Sequence, residues 1–187
     1  TNYSAPGAMA AVANMTGELD GYISSCQQAD AAADHYRSYL SPNSDEYKQL
    51  VAYDTNLNGS ISSAQAIRST LSGYRDMIVL YDSWQQSGDS LQIKFDTQTQ
   101  PRYGDDMRKW LLEIRPQVVD LISSGDQASS SVDAAMYETT EGTGRESMAL
   151  MKKEISSRSD SFKQRYNALA SQYNATFGQA FGSVPGI

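Results

Sequence analysis

The stretch VANMTGELDGYISSCQQADAAADHYRSYL, residues 12–40, decides the fold class of this 187-residue chain. Its apolar residues recur alternately three and four positions apart, which is the spacing of an α-helix that buries one side, as in a coiled-coil seam. The seam positions are Val12, Met15, Leu19, Tyr22, Cys26, Ala29, Ala33, Tyr36 and Leu40. Pro42 disfavours helical backbone at Ser41, so the first helix is predicted to end there.

A second helix is predicted from about Asn43, where Glu46 three residues on can complete a capping box, to about Gly88. The segment GDSLQIKFDTQTQPRYG, residues 88–104, then breaks the helical spacing. Its apolar residues alternate as in a strand: Leu91, Ile93 and Phe95. One isolated strand has no partner, so we predict a long crossover loop there, which is a candidate binding element because ordered loops of this length usually have a function.

The third helix is predicted from about Asp105, with a kink or a restart at Pro116, and the fourth from a capping box of Thr143 and Glu146. Helices joined by short turns must lie antiparallel to their neighbours. The sequence therefore predicts an all-α fold: an elongated antiparallel (up-down-up-down) four-helix bundle, with the crossover loop between the second and third helices. Residues 1–187 are predicted to form a single domain.

Composition limits the partners. The chain has 15 Lys and Arg against 22 Asp and Glu, a net charge of −7, so it offers no basic surface for nucleic acid or anionic lipid. No apolar run reaches the about 20 residues of a membrane span, and we expect no membrane insertion of this segment. The chain opens TNYSAPG without an initiator Met, so we expect that an upstream segment was removed, and an upstream membrane anchor stays open.

Four N-x-[ST] sequons are candidate glycosylation sites and exceed what chance predicts: Asn2, Asn14, Asn58 and Asn174. We therefore expect an extracytoplasmic glycoprotein, located in the periplasm or on the cell surface.

The stretch DTNLNGSISSAQ, residues 54–65, matches the pattern of a calcium loop at every fixed position except the last. It resembles the EF-hand loop, and the resemblance implies these ligands: Asp54, Asn56, Asn58, Ser60, Ser62 and Gln65. Position 12 is normally a bidentate Glu, and Gln65 offers one neutral oxygen. Calcium affinity in such loops follows ligand charge, so a site here would be weak, near the millimolar range.

A continuous helix is the other interpretation of this stretch, and it is the one the spacing favours. Apolar residues keep helical spacing straight through it: Leu50, Leu57, Ile61, Ala64 and Ile67. Asp, Thr, Asn and Gly are poor helix formers, but tertiary packing often overrides a propensity cost of about 3–5 kcal/mol. Apart from a weakly bound calcium ion, no cofactor is predicted.

No catalytic pattern is present. The single histidine, His35, has no Glu-x-x-His partner for a di-iron site, and the single cysteine, Cys26, lies on an apolar stripe without basic neighbours. No phosphate-binding loop, nucleophile elbow or zinc motif occurs. We predict that the protein is not an enzyme.

Tyrosines are the remaining candidate ligand-binding residues. Six of the 12 lie on apolar stripes: Tyr22, Tyr36, Tyr74, Tyr81, Tyr166 and Tyr173. A buried phenol needs a hydrogen-bond partner, so such residues either line a small-molecule pocket or are core residues whose hydroxyls reach the surface. In architecture the predicted bundle looks like extracytoplasmic four-helix sensor domains or the helical body of a surface lipoprotein.

The prediction for function is accordingly a non-enzymatic extracytoplasmic helical-bundle module that senses a ligand or binds a protein, as the soluble part of a surface lipoprotein or receptor. Its partner, a protein or a small molecule, is not identified by the sequence. The alternative is a calcium-dependent structural or adhesion module built on residues 54–65.

Overall fold

A computed structural model describes residues 5–97, 103–139 and 142–187, and in these residues every regular element is an α-helix. The predicted all-α fold with four helices is confirmed. The helices are α1 (Ala5–Arg37), α2 (Asp45–Asp96), α3 (Asp105–Glu138) and α4 (Thr143–Phe181). The chain divides into two compact units, which we call the N-terminal unit (Thr1–Arg75) and the C-terminal unit (Asp76–Ile187). The single domain stays a prediction.

Helix α2 is longer than predicted. It begins after Ser44, whose Oγ accepts a hydrogen bond from the N–H of Tyr47 at 3.1 Å and so caps the first turn. The predicted end near Gly88 is wrong, because the helix continues to Asp96. Leu91 and Phe95 are four residues apart, so they share one helix face, and both are buried. Residues 88–96 of the predicted crossover loop are therefore helical, and residues 98–102 lie outside the described part of the chain, so the loop itself stays a prediction.

The N-terminal unit contains α1 and the first part of α2, and its buried seam differs from the predicted one. Val12, Cys26 and Ala33 are buried as predicted, but Tyr22 and Tyr36 are 49% and 69% exposed. The buried residue beside Tyr22 is Ile23, so the second row of the seam is shifted by one position. That row also contains polar residues, which apolar spacing cannot reveal. They are Thr16, Asp30 and Arg37.

Ion pairs and internal hydrogen bonds accommodate Thr16 and Arg37, whereas Oδ1 of Asp30 is buried without a hydrogen-bond partner among the described residues. Thr16 donates its hydroxyl to the carbonyl of Val12 at 2.8 Å. Arg37 pairs with Asp34 on its own helix and with the buried Asp54 on α2. Salt bridges of this kind neutralise a carboxylate that would otherwise be buried alone.

The C-terminal unit contains the second part of α2 together with α3 and α4, packed around an aromatic and aliphatic core. Phe95 of α2 lies 5.7 Å from Trp110 of α3 and 5.8 Å from Phe162 of α4, measured between ring centroids. Helix α3 passes through Pro116 without a break and buries a regular stripe. Nine residues form that stripe: Trp110, Leu111, Ile114, Val118, Leu121, Gly125, Ala128, Val132 and Ala135.

Candidate functional site

The chain reverses direction directly after α4. The helix ends at Phe181, and Gly182 has φ 89° and ψ 148°, a left-handed backbone that favours glycine. The N–H of Gly182 still bonds to the carbonyl of Gly178 at 3.0 Å, so the turn starts from the last helical hydrogen bond. Residues 182–187, GSVPGI, then lie without helical structure along the surface of α4. We call them the tail.

Two asparagines of α4 bind the backbone of the tail in the same way. The amide of Asn174 donates to the carbonyl of Val184 and accepts from its N–H, both at 2.8 Å. The amide of Asn167 donates to the carbonyl of Ile187 at 2.9 Å and accepts from its N–H at 2.8 Å. A side-chain amide with one donor and one acceptor thus replaces the neighbouring strand that an extended backbone would bond to in a sheet.

Two tyrosines, each preceding one of these asparagines, bind two further carbonyls of the tail. The hydroxyl of Tyr173 donates to the carbonyl of Gly182, and the hydroxyl of Tyr166 donates to the carbonyl of Pro185, each at 3.1 Å. Burial raises the pKa of Tyr166, and the positive charge of Arg115 opposes that rise only in part. The phenol therefore stays protonated, and a hydrogen-bond donor, beyond the pH at which an exposed tyrosine ionises.

Helix α3 adds a cation to the site. Arg115 donates from Nε and Nη2 to the carbonyl of Gly186, at 3.3 Å and 3.1 Å. The side chain of Val184 is buried to 2% exposure, while Ser183 and Pro185 on either side of it are exposed. The five residues that hold the tail define what we call the tail groove: Arg115, Tyr166, Asn167, Tyr173 and Asn174.

The sequence contains a signal for this groove that apolar spacing does not detect. The dipeptide Tyr-Asn occurs at 166–167 and again at 173–174, seven residues apart, within RYNALASQYNATFG. Seven residues are nearly two helical turns, so the two dipeptides lie on the same side of α4. Tyr166 and Tyr173 were predicted as ligand-binding residues, but the asparagines beside them and Arg115 were missed.

The other four predicted tyrosines do not join this groove. Tyr22, Tyr36 and Tyr74 belong to the N-terminal unit. Tyr81 is a core residue of the C-terminal unit, and its hydroxyl donates to Glu154 at 2.7 Å.

Two open clefts lie elsewhere on the described residues, one of about 540 Å³ in the N-terminal unit and one of about 390 Å³ in the C-terminal unit. Neither cleft is lined by any of the six predicted tyrosines. The first is lined by Val12, Thr16, Gln65, Arg68, Ser69, Leu71, Ser72 and Arg75, and the second by Ser87, Ser90, Leu91, Gln117, Asp120, Leu121 and Ser124.

The calcium-like stretch, residues 54–65, is helical throughout. Ser62, one of its predicted ligands, instead donates its hydroxyl to the carbonyl of Asn58 at 2.8 Å, one turn back along α2. Two residues turn a helix by about 200°, so Asn56 lies on the opposite side from Asp54. The structure therefore does not bring the six predicted ligands together. A calcium site would need another conformation of this segment, and the calcium ion stays a prediction.

The candidate glycosylation sites differ in their surroundings. Asn14 on α1 and Asn58 on α2 are exposed, and Asn2 lies outside the described residues. The amide of Asn174 bonds to Val184, so a glycan on that nitrogen would break the contact.

Comparison of the chain with protein-family models, with curated proteins and with solved structures finds no match. Within residues 5–97, 103–139 and 142–187, no helix combines the length and the apolar character needed to cross a membrane. The same residues contain no group of three or more His, Cys, Asp or Glu side chains placed to hold a metal ion. The tail groove is therefore the candidate site with the most developed geometry.

Proposed function

We propose that the chain is a non-enzymatic module for protein interaction and that its tail groove binds an extended peptide segment. In this structure the chain's own tail occupies the groove. The observation that supports this proposal is the repeated Tyr-Asn pair on α4, in which Tyr166 with Asn167 and Tyr173 with Asn174 each hold one part of the tail. An extracytoplasmic location, as the soluble part of a surface lipoprotein or receptor, remains part of the proposal and rests on the sequons.

The groove binds the backbone of its occupant. Within the described residues, eight hydrogen bonds join groove and tail, and each ends on a backbone N–H or carbonyl of the tail. Backbone groups are common to all sequences, so another segment with the same backbone path would make the same bonds. Recognition through main-chain hydrogen bonds, with one side chain in a pocket, is a recurring way in which proteins bind peptides.

The net free energy that holds the tail in the groove is small, so the tail can exchange with another segment. A hydrogen bond inside a protein stabilises by a net of about 1 kcal/mol, because the same groups bond to water when released. Ordering one residue costs about 1–2 kcal/mol of backbone entropy. For six tail residues and eight bonds these contributions are of similar size, so the burial of Val184 decides whether the tail stays bound. A competing segment can therefore displace it at modest cost.

The chemistry of the groove suits binding and not proton transfer. Its side chains are two amides, two phenols and a guanidinium, and the pKa of Tyr166 is raised away from neutral pH. General acid–base catalysis works best with groups that titrate near the working pH. These properties support the non-enzymatic part of the proposal.

We also propose antiparallel packing within each unit, which orients α4 and its groove. In the N-terminal unit the described ion pairs join Asp20 to Arg68 and Arg37 to Asp54, so residue numbers rise along one helix as they fall along the other. In the C-terminal unit the hydrogen bonds from Lys94 to Gln117 and from Lys152 to Asp133, both 2.6 Å, join α2 to α3 and α3 to α4. The short connection between Glu138 and Thr143 favours antiparallel packing of α3 and α4. The elongated four-helix arrangement of the whole chain stays a prediction.

The proposal is tested with a full-length chain whose own tail cannot bind. Proline has no N–H. The double substitution Val184→Pro with Ile187→Pro therefore removes the two backbone N–H groups that donate to the asparagines, and it leaves the groove residues unchanged. We call this variant the tail-disabled chain. A fluorescent peptide of residues 182–187, capped at both ends, should bind it saturably by fluorescence anisotropy.

The matched control adds Asn167→Asp and Asn174→Asp to the tail-disabled chain. Each carboxylate keeps the shape of the amide and removes its donor, so peptide binding should be lost. Equal binding with and without the asparagines would show that the peptide attaches elsewhere, and the proposed function would then be wrong.

A further inference from the structure

The contacts that the Tyr-Asn pairs of α4 make with the tail repeat every three residues of the tail. Tyrosine hydroxyls bind the carbonyls of Gly182 and Pro185, and asparagine amides bind both backbone groups of Val184 and Ile187. Burial follows the same period, since Val184 is buried, Ile187 is half-buried, and the other four tail residues are exposed. A period of three is that of the polyproline II helix, whereas a β-strand has a period of two.

The repeat of α4 matches this period in length. Seven residues of α-helix advance about 10.5 Å, and three residues of polyproline II advance about 9.3 Å. Each Tyr-Asn pair on the helix therefore meets one turn of the tail. A β-strand advances about 6.6 Å in its two-residue repeat, so backbone groups that recur with this period would not match the spacing of the two Tyr-Asn pairs.

Proline in the tail fits the same geometry. Pro185 fixes its own φ near −65° and biases Val184 towards extended backbone. At this position the groove binds only the backbone carbonyl, which accepts from the hydroxyl of Tyr166, so the missing N–H of Pro185 costs no hydrogen bond. Val184 and Ile187 are the two tail residues whose N–H groups are bound by the asparagines of the groove, so proline is excluded there.

We propose, on the basis of the function proposed above, that the partner is a polyproline II segment of another protein with the pattern aliphatic-Pro-x-aliphatic. The aliphatic residues take the places of Val184 and Ile187, and proline takes the place of Pro185. The tail is then an internal mimic of the ligand that already makes the hydrogen bonds of the groove. A preorganised polyproline II ligand loses little entropy on binding, which suits a groove whose hydrogen bonds each contribute little net free energy.

The test is a proline scan of the six-residue peptide, titrated into the tail-disabled full-length chain. Peptides with Val184→Pro or Ile187→Pro should bind at least about tenfold more weakly than the natural sequence, because each leaves an asparagine acceptor unpaired. The peptide with Ser183→Pro should bind within about twofold, since its N–H is not used and proline favours polyproline II. Position 183 is the matched control because it adjoins position 184 and is exposed.

The same scan in the chain's own tail gives an independent measurement that does not need the tail-disabled variant. Ser183→Pro should leave hydrogen exchange of the Ile187 amide slow, and Val184→Pro should accelerate it at least about tenfold, as expected when a hydrogen bond is released.

The outcomes separate this inference from the proposed function. If no peptide binds, the proposed function fails and the inference with it. If all peptides bind alike, or if proline at 183 weakens binding as much as at 184, the groove binds peptides without reading a three-residue period, and only the inference is overturned. Sedimentation of the wild-type chain should show a monomer, and a dimer that the tail substitutions abolish would identify the occupant as the tail of a second copy, against the proposal.

Discussion

Asn167 and Asn174 lie seven residues apart on α4, and each closes a pair of hydrogen bonds on one tail residue, Ile187 and Val184 respectively. A helix has no free backbone groups along its side, so it cannot accept an extended segment as a sheet edge does. The two side-chain amides supply these groups at a helical spacing. The tail therefore lies on α4 through a local pattern in the sequence of the helix.

The first prediction concerns Asn174→Asp. The substitution keeps the shape of the side chain but sets a carboxylate oxygen against the carbonyl of Val184, where an N–H donated before. We expect the tail to lose about 1–3 kcal/mol of docking free energy, which is the cost of leaving a part-buried partner unsatisfied. Hydrogen exchange of the Ile187 amide measures the release.

Gln172→Glu is the matched control for this substitution. It makes the same amide-to-acid change on an exposed position of the same helix. Exchange at Ile187 should stay as in the wild type. If Gln172→Glu released the tail as strongly as Asn174→Asp, the added charge and not the lost donor would explain the effect.

The second prediction concerns alkaline pH. Burial holds the pKa of Tyr166 above the usual value near 10, so the folded chain retains a proton that the unfolded chain releases. The stability from this group is fully present below about pH 10 and is lost as pH rises through the higher pKa of the folded state. Urea unfolding from pH 8 to 11 should show a steeper loss for the wild type than for Tyr166→Phe.

At neutral pH the Tyr166→Phe chain should be less stable by about 1 kcal/mol, because the hydrogen bond to Pro185 is gone. Tyr137→Phe removes a phenol that is 88% exposed and serves as the control. Parallel pH profiles for the wild type and Tyr166→Phe would contradict the assignment of the alkaline loss to this residue.

The helices were predictable because apolar spacing records which side of a helix is buried. The stripe from Leu111 to Ala135 on α3 keeps this spacing, and its residues are buried. The end of α2 was misjudged, because Leu91, Ile93 and Phe95 alternate like a strand, and only the packing shows that Leu91 and Phe95 are buried while Ile93 is 62% exposed. Short apolar runs are ambiguous between helix and strand for this reason.

The site was predictable only in part. Tyr166 and Tyr173 lie on the buried stripe of α4, so their apolar character made them visible in the sequence. Asn167 and Asn174 are polar neighbours of that stripe, so apolar spacing does not find them, although the repeated Tyr-Asn dipeptide marks them in the sequence. Their role depends on the reversal of the chain at Gly182, which places the tail beside them. The residue spacing of α4 alone therefore does not predict that its asparagines bind the tail.

The third prediction tests the calcium-like stretch. A calcium loop needs glycine at its sixth position for a sharp turn, which Gly59 would provide. In the helix a Cβ at Gly59 would meet no atom within 4 Å beyond its chain neighbours and the adjoining helix backbone. Gly59→Ala should therefore stabilise the chain by about 0.5–1 kcal/mol, because alanine loses less backbone entropy in a helix.

Thermal unfolding of the wild type and of Gly59→Ala, each in EDTA and in about 10 mM calcium, completes this test. That calcium concentration exceeds the millimolar dissociation constant expected for such a loop. We expect the curves with and without calcium to coincide. A calcium-dependent rise in Tm for the wild type that Gly59→Ala abolishes would restore the calcium-dependent adhesion module as the better interpretation.

The fourth prediction compares two ion pairs of the N-terminal unit. The Asp54 side chain is 10% exposed and pairs with Arg37, whereas Asp20 and Arg68 are 48% and 54% exposed and lie 2.9 Å apart. Arg37→Met leaves a buried carboxylate without its cation and should cost roughly 2–3 kcal/mol of unfolding free energy at pH 7. Arg68→Met should cost less than about 1 kcal/mol, because water and salt screen an exposed pair.

Urea unfolding of the two single variants and of the double variant Arg37→Met with Asp54→Leu distinguishes a lost attraction from a stranded charge. Removing both members of a buried pair is often neutral, since the carboxylate no longer has to be desolvated. We therefore expect the double variant to recover most of the stability that Arg37→Met loses. A double variant as unstable as Arg37→Met would mean that the packing of the Arg37 side chain, and not its charge, stabilises this unit.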